Sequence, residues 1–226
     1  MQIEQLFPSI YKLHNNNQEI LATRNLTPGI TYYGESVYLV DDLEYRSWNP
    51  TRSKLGAVIL KGVTTMPIVP GCYVLYLGVA SGTTVSHVSD VIGEDGHVWG
   101  LDFAPRSMRD LLDKVTRHRD NISPILGDAR DPSSYSAYVP LVDVVFADVA
   151  QPDQADIIVK NARHFLREGG WIMLSIKSRS IDVREKPRDV YADQVKIIED
   201  AGYKVDQLVI LDPFEKDHAM VLASSA

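Results

Sequence analysis

One stretch constrains this chain more than any other: Val74 to Asp102, VLYLGVASGTTVSHVSDVIGEDGHVWGLD. Tyr73–Leu77 is a short apolar run of the kind that forms a buried parallel strand. Gly78 and Gly82 bracket a tight turn, and Thr83 and Thr84 are placed to cap a helix running to about Ile92. Gly93-Glu-Asp-Gly96 ends that helix, and His97–Leu101 is a second strand with Asp102 at its carboxyl end. A helix N-terminus behind a glycine turn leaves free backbone N–H groups. An acidic residue about 20 positions on can bind both hydroxyls of a ribose. Together they describe a site for an adenosine-containing cofactor.

The turn narrows the choice of cofactor. A dinucleotide fingerprint, G-x-G-x-x-G, needs a bare second glycine where backbone meets pyrophosphate. Here the turn is Gly78-Val-Ala80-Ser-Gly82, with Ala80 in that second place. S-adenosylmethionine has no pyrophosphate, so its site tolerates Ala80 more easily. A plain βαβ turn with a helix cap is the simpler alternative.

Composition excludes several classes. With 226 residues, 45% of them hydrophobic, the chain has room for one large domain, or one with a small appendage, and enough core to fold. No apolar run approaches the ~20 residues of a membrane span. The start, MQIEQLFPSIYK, lacks the basic and apolar regions of a signal peptide. Cys72 is the only cysteine, so no internal disulfide or cysteine metal cluster forms. These features predict a cytoplasmic protein. A net charge of −7 argues against a stand-alone nucleic-acid binder. If RNA is the substrate, something else supplies much of the affinity.

The first 50 or so residues differ from the rest, with five of the 11 tyrosines: Tyr11, Tyr32, Tyr33, Tyr38 and Tyr45. Gln2–Leu6, Glu19–Ala22 and Ser36–Val40 alternate with turn signals at Asn15-Asn16-Asn17 and Thr27-Pro28-Gly29. This predicts a small antiparallel β domain over residues 1–52, serving as stabilising appendage or docking face. Tyr45 to Gly56 reads as a polar, aromatic linker, within which Ser53 can cap a helix from Lys54 to about Lys61. Lys54 would then be a first-turn lysine, which the helix dipole disfavours and which reads as solvated by default.

Residues 53–226 form the second domain, and after Asp102 it alternates strictly between helix and strand. Helices are predicted over Pro105–His118, Asp153–Leu166 (closed by Arg167-Glu-Gly-Gly170) and Pro187–Ala201 (closed by Gly202). Strands are predicted over Ile122–Leu126, Val142–Ala147, Trp171–Ile176, Val205–Leu211 and Ala219–Ala223. This is a doubly wound α/β sheet. The connection from Leu211 to Ala219 is too short for a crossover helix, so the last strand is antiparallel.

Ligands in such sheets bind outside the carboxyl ends of the strands. Those ends carry Gly78, Asp102, Asp128, Asp148 and Lys177, and the antiparallel last strand brings His218 to the same rim. Any one of these residues is more often a turn former; five in sequence are a better signal. The other histidines, His14, His87, His97, His118 and His164, read as surface or packing, and no pair has metal-ligand spacing.

Arg46-Ser-Trp-Asn-Pro-Thr-Arg-Ser-Lys54-Leu, Leu77-Gly-Val-Ala-Ser-Gly-Thr-Thr-Val-Ser-His-Val-Ser-Asp90, Ala147-Asp-Val-Ala-Gln-Pro152 and Ser175-Ile-Lys177 closely resemble fibrillarin. That family comprises the S-adenosylmethionine-dependent RNA 2′-O-methyltransferases of box C/D ribonucleoproteins. The resemblance covers essentially the whole chain and implies a class I methyltransferase fold: a Rossmann-like, mostly parallel sheet with an antiparallel last strand, preceded by the small β domain. The glycine- and arginine-rich arm of eukaryotic members is absent, which resembles the archaeal form. Ala80 is itself usual for the family.

By the same resemblance, the family's catalytic Lys-Asp-Lys-His set maps onto Lys54, Asp148, Lys177 and His218. The turn from Gly78 through Ala80, with Thr83 and Thr84, would hold the methionine part of the cofactor. Asp102 would bind the ribose and Phe103 would lie against the adenine. Asp128 and Ala129 would read the adenine edge, and Gln151, like Asp148, would lie near the cofactor. The implied partners are a Nop-family scaffold protein, a kink-turn-binding protein of ribosomal type, a box C/D guide RNA, and rRNA or tRNA as substrate.

In the reaction this implies, a ribose 2′-hydroxyl must align with the sulfur–methyl bond and lose its proton. Lys177 would deprotonate or polarise it, Asp148 would orient Lys177 near the sulfonium, and Lys54 and His218 would position ribose and phosphate. Lys177 to Arg188 carries five cations against two carboxylates, a local +3, so Arg179 and Arg184 are candidate phosphate contacts. A solvated loop is the plainer reading of that run. Three other readings compete: a methyltransferase of this fold acting on a protein or small molecule, a non-catalytic assembly subunit, and a nicotinamide-dependent oxidoreductase. Ala80 and the lysine-rich rim disfavour the last.

Overall fold

The computed structural model describes residues 1–16 and 18–225. Asn17, third in the asparagine run, lies outside the described residues. The chain opens with an antiparallel five-stranded sheet: β1 (Gln2–Phe7), β2 (Ile10–Asn15), β3 (Gln18–Arg24), β4 (Val37–Val40) and β5 (Leu43–Ser47), in the order β1-β2-β3-β5-β4. The sequence led us to expect three of these strands. Ile10–Asn15 and Leu43–Ser47 are additional, and part of the expected linker is therefore strand. Tyr45, Arg46 and Trp48 are buried rather than solvated.

A larger sheet follows. Its elements are α1 (Lys54–Leu60), β6 (Tyr73–Leu77), α2 (Thr83–Ile92), β7 (His97–Asp102), α3 (Pro105–Lys114), β8 (Ile122–Leu126), β9 (Val142–Ala147), α4 (Gln154–Phe165), β10 (Leu166–Lys177), α5 (Ser178–Ile181), α6 (Pro187–Asp200), β11 (Lys204–Ile210) and β12 (His218–Ser224). The strand order is β11-β12-β10-β9-β6-β7-β8. All pairings are parallel except those of β12, which is antiparallel to both neighbours. From β6 the chain winds outward to β8, then crosses back to β9 and winds the other way. The switch point therefore lies between β6 and β9, where such sheets hold ligands.

Three local expectations change. The predicted helix to His118 stops at Lys114, and Thr116–His118 is a 3-10 turn. The Arg167–Gly170 segment, expected to close α4, instead leads into β10 through an irregular stretch between Leu166 and Trp171. Neither Thr83 nor Thr84 caps α2: its N-cap is Gly82, at φ +108 and without a side-chain cap. A threonine rarely adopts that conformation. A Cβ at Gly82 would also lie 2.5 Å from Val115 Cγ2.

Both faces of the sheet are covered, which explains why its strands read as continuous apolar runs. Along β6, Leu75 and Leu77 pack with α4 residues such as Ile158 and Ala162. Val74 and Tyr76 face the other way, into a cluster that holds Leu55, Val85 and Val88 of α1 and α2. That same cluster takes in Ile10, Leu21, Tyr32 and Trp48 from the N-terminal residues. No helix among the described residues is long and apolar enough to cross a membrane.

A buried ionic network joins the small sheet to α2. Arg46 reaches Glu35 at 2.6 Å and Asp90 at 2.7 Å, and Arg119 meets Asp90 at 2.6 Å. Asp90 also accepts from the Thr23 hydroxyl and the Leu26 N–H. Burial alone would raise the Glu35 carboxyl, but Arg46 and the Tyr32 and Tyr33 N–H groups outweigh it and hold it low. His87 stacks on Trp48 with ring centroids 4.7 Å apart and bonds Thr23 and Tyr33, so it is a core histidine.

Candidate active site

The switch point is built from tight turns at positive φ. Gly78, at φ +82, brings the chain so close to the next strand that a Cβ there would lie 2.5 Å from the Asp148 carbonyl oxygen. The N–H groups of Gly78 and Val79 donate to the Leu101 carbonyl at 2.8 and 3.1 Å. Ala80 sits at φ +51 and its N–H donates to Asp102 Oδ2 at 2.9 Å. The other oxygen of Asp102 accepts the Ala104 N–H at 2.8 Å. Asp102 is thus a latch between two turns as well as a pocket residue. Each carboxylate oxygen keeps a lone pair for a further donor.

A pocket of about 280 Å³ opens at this point. Gly78, Ala80, Asp102, Phe103, Asp128, Ala129, Asp148 and Gln151 line it. Thr83 and Thr84 do not, although both were expected near the cofactor. Thr84 is buried and donates instead to the Ser53 hydroxyl at 3.0 Å. Sequence reasoning missed the apolar lining residues Leu101, Val149, Ala150 and Ile157, whose residue types carry no chemistry of their own. Phe103 is 67% exposed, an aromatic face at the pocket. Asp128 turns the chain by accepting the Arg130 N–H, and Arg130 donates to Gln151 Oε1 at 2.6 Å.

Beside the pocket lies a cationic rim. Lys54, the first residue of α1, places Nζ 3.1 Å from Asp148 Oδ2, both side chains being about a quarter exposed or less. Asp148 therefore pairs with Lys54 rather than with Lys177, the partner expected for it. Lys177 ends β10, the strand next to β9, and its backbone is held on both sides by Gln154. The Gln154 Oε1 accepts the Lys177 N–H at 3.0 Å, and Nε2 donates to the Lys177 carbonyl at 3.3 Å. His218 starts β12 opposite Lys177. Its Nδ1 lies 2.7 Å from the Lys216 carbonyl, which can only accept, so Nδ1 carries a proton and donates there.

The two arginines expected to contact RNA are engaged within the chain. Arg179 pairs with Asp217 at 3.0 Å and donates to the Val183 carbonyl, while Arg184 pairs with Asp182 at 3.3 Å. The local +3 of this segment is thus partly cancelled by a carboxylate outside it, which composition could not reveal.

The arrangement offers a carboxylate for a diol, an exposed aromatic ring for a base, and ammonium groups next to the opening. The sequence profile of the Fibrillarin family matches residues 1–226. The chain belongs to the fibrillarin family. A fibrillarin-like rRNA/tRNA 2′-O-methyltransferase of Aeropyrum pernix is 53% identical over 203 residues, 90% of this chain and 87% of that protein. The fibrillarin pre-rRNA processing protein of Methanococcus jannaschii superposes with a TM-score of 0.95 at 44% identity, covering 99% of this chain and 97% of that one. The Aeropyrum pernix fibrillarin in complex with natively bound S-adenosyl-L-methionine gives 0.92 at 48% identity, covering 99% and 98%. A fibrillarin from a complex with Nop5p gives 0.88 at 37%, covering 99% and 100%. Beyond the fibrillarin family the fold alone persists, as in an Aquifex aeolicus S-adenosylmethionine-dependent methyltransferase at 16% identity, TM-score 0.58, covering 79% of this chain and 95% of that one.

Proposed function

We propose that this chain is the methyltransferase subunit of a box C/D ribonucleoprotein. It transfers a methyl group to the 2′-hydroxyl of rRNA or tRNA nucleotides chosen by a guide RNA. The observation that carries this reading is the Lys54–Asp148 pair at an adenosine-sized pocket, with Lys177 and His218 next along the same rim.

The residues present fit S-adenosylmethionine. Asp102 retains lone pairs for the ribose hydroxyls, and Phe103 offers a face for the adenine. Asp128 and Ala129 are placed to read its edge, and the turn from Gly78 to Ala80 faces the methionine part, with Thr83 and Thr84 behind it. When bound, the cofactor supplies an electrophilic methyl group on a sulfonium. Asp148, which lines the pocket, sits where a carboxylate favours that positive charge and fixes Lys54. Lys177 takes the 2′-hydroxyl proton as the neutral amine, or polarises that hydroxyl as the ammonium, while Lys54 and His218 position the ribose and its phosphate. In-line alignment of this kind contributes ~7–11 kcal/mol in favourable cases.

Partners follow from charge. Phosphate binding needs cations that release counterions, and a surface of net −7, with Arg179 and Arg184 already paired, provides few. Affinity and register therefore come from a Nop-family scaffold, a kink-turn-binding protein and the guide RNA. The sole cysteine, Cys72, is free and buried, in keeping with a cytoplasmic location. The test is methyl incorporation into guide-matched RNA, with each component omitted in turn. Methylation should need all of them. Site-specific methylation of free rRNA by the lone chain at the full rate would overturn the dependence on partners, and no methylation by the full assembly would overturn the reading itself.

A further inference from the structure

We propose that Ser53 is a positioning residue for Lys54, and that its hydroxyl ties this lysine to the helix that begins at the cofactor turn. Ser53 precedes Lys54, is 2% exposed, and is held in extended backbone at φ −153. Its Oγ has two partners. It accepts the Gly56 N–H at 3.2 Å, capping α1, and it accepts the Thr84 hydroxyl at 3.0 Å from the first turn of α2.

The physical case rests on what else holds Lys54. Helix α1 has only seven residues, too few to be stable by its own hydrogen bonds. Its placement comes from tertiary ties: besides Leu55 in the core and the Lys54–Asp148 pair itself, the first turn has two more. Gly56 lies flat on Trp48, where a Cβ would already be 3.2 Å from the indole, and Ser53 is bonded to Thr84. The Trp48 contact sets how deep α1 sits. The Ser53–Thr84 bond sets where its N-terminus lies relative to α2. Lys54 leaves the chain at that N-terminus and reaches Asp148 at 3.1 Å. A misplacement of about 1 Å in a catalytic constellation costs roughly 10²-fold in rate. Ser53 is not among the residues that line the pocket, so its role is separable from cofactor binding.

This inference rests on the methyltransferase reading, and the experiment separates the two. Ser53→Ala, Ser53→Gly and Ser53→Thr are compared with wild type in the reconstituted assembly. Ser53→Gly, like Ser53→Ala, loses both bonds of the hydroxyl, but glycine is nearly as good an N-cap as serine, so little of its effect comes from the helix start itself. Three quantities are read: the single-turnover methyl-transfer rate, the S-adenosylmethionine Kd by calorimetry, and the rate at which acetic anhydride labels Lys54 in the free chain, by mass spectrometry. Ser53→Ala and Ser53→Gly should slow transfer at least tenfold, leave Kd within threefold, and label Lys54 several times faster. Ser53→Thr should recover most of the rate. Adding Ser53→Gly to Lys54→Ala should cost nothing more, because the serine acts through the lysine. A Ser53→Gly protein with wild-type rate and labelling overturns the proposal while the wild-type assembly still methylates. A loss confined to Kd, or fully additive with Lys54→Ala, overturns it as well. An inactive wild-type assembly overturns the underlying reading instead, and the labelling result then decides the positioning claim alone.

Discussion

Lys177 and His218 are the last facing pair of the antiparallel ladder between β10 and β12, at the end that opens on the rim. Facing residues put their side chains on one face of a sheet, ~4.5–5.5 Å apart at Cβ. Lys177 is not among the residues that line the pocket of about 280 Å³. Lys177→Ala should therefore leave S-adenosylmethionine affinity within a few-fold. It should cut methyl transfer by about 10²–10⁴, the range for losing a group that moves a proton. Turnover close to wild type would remove Lys177 from the mechanism.

Gly78→Ala tests the closest approach in the site. The new Cβ would meet the Asp148 carbonyl oxygen at 2.5 Å, and the residue would be held at φ +82. The backbone term alone costs roughly 1–3 kcal/mol. Relief by moving Asp148 also moves the Lys54 pair. The expected result is a lower melting temperature together with at least tenfold weaker cofactor binding; wild-type affinity would show that the turn is not at the cofactor.

Asp102 accepts one backbone N–H on each oxygen, from Ala80 and from Ala104. Asp102→Asn presents a donor to one of those donors. It should therefore bind S-adenosylmethionine about as poorly as Asp102→Ala, at least tenfold below wild type. Hydrogen bonds to a charged group contribute about 1.5–3 kcal/mol each. Calorimetric titration of both variants checks this. An asparagine variant with near-native affinity would mean that neither the latch nor the charge matters.

Acid should destabilise the fold through His87. Burial first, then the nearby Arg46 and Arg119 guanidiniums, push its imidazole well below the usual histidine range. The unfolded chain takes up a proton there as pH falls below ~6.5, and the folded chain does not. Stability is therefore whole above that value and falls below it, by at most ~1.4 kcal/mol per pH unit. His97, lowered by burial, adds a smaller effect of the same sign. His87→Gln should lower the melting temperature at pH 7.5 by losing the stack on Trp48, yet flatten its slope between pH 7.5 and 5.5. An unchanged slope would assign the acid sensitivity to other groups.

The parts of the fold that were legible share one property: their signal is local. Tyr73–Leu77 matches the observed strand, and the helix after the turn ends at Ile92 as expected, because an apolar run and the glycines Gly78, Gly82 and Gly93 delimit them. The hairpin of β4 and β5 did not show, since its turn is Asp41-Asp42, both at positive φ (50° and 61°), without the glycine that normally marks such turns. Arg46 read as a linker arginine because Glu35 and, far along the chain, Asp90 neutralise it. The rim residues Asp148, Lys177 and His218 were readable from strand ends alone. Lys54 was not, because the partner that gives it meaning, Asp148, enters only through tertiary packing, and its assignment came from the family resemblance.

The ionic network around Asp90 bears on how the molecule comes apart. Arg46→Ala in the full chain would leave Asp90 paired with Arg119 alone and Glu35 without its cation, both carboxylates still buried. Removing one partner of a buried ion pair costs about 3–5 kcal/mol, a large part of what holds a domain of this size together. The two sheets are distinct in outline and joined in energy. Heating should release them in a single calorimetric transition, with no surviving half that keeps the cofactor turn intact.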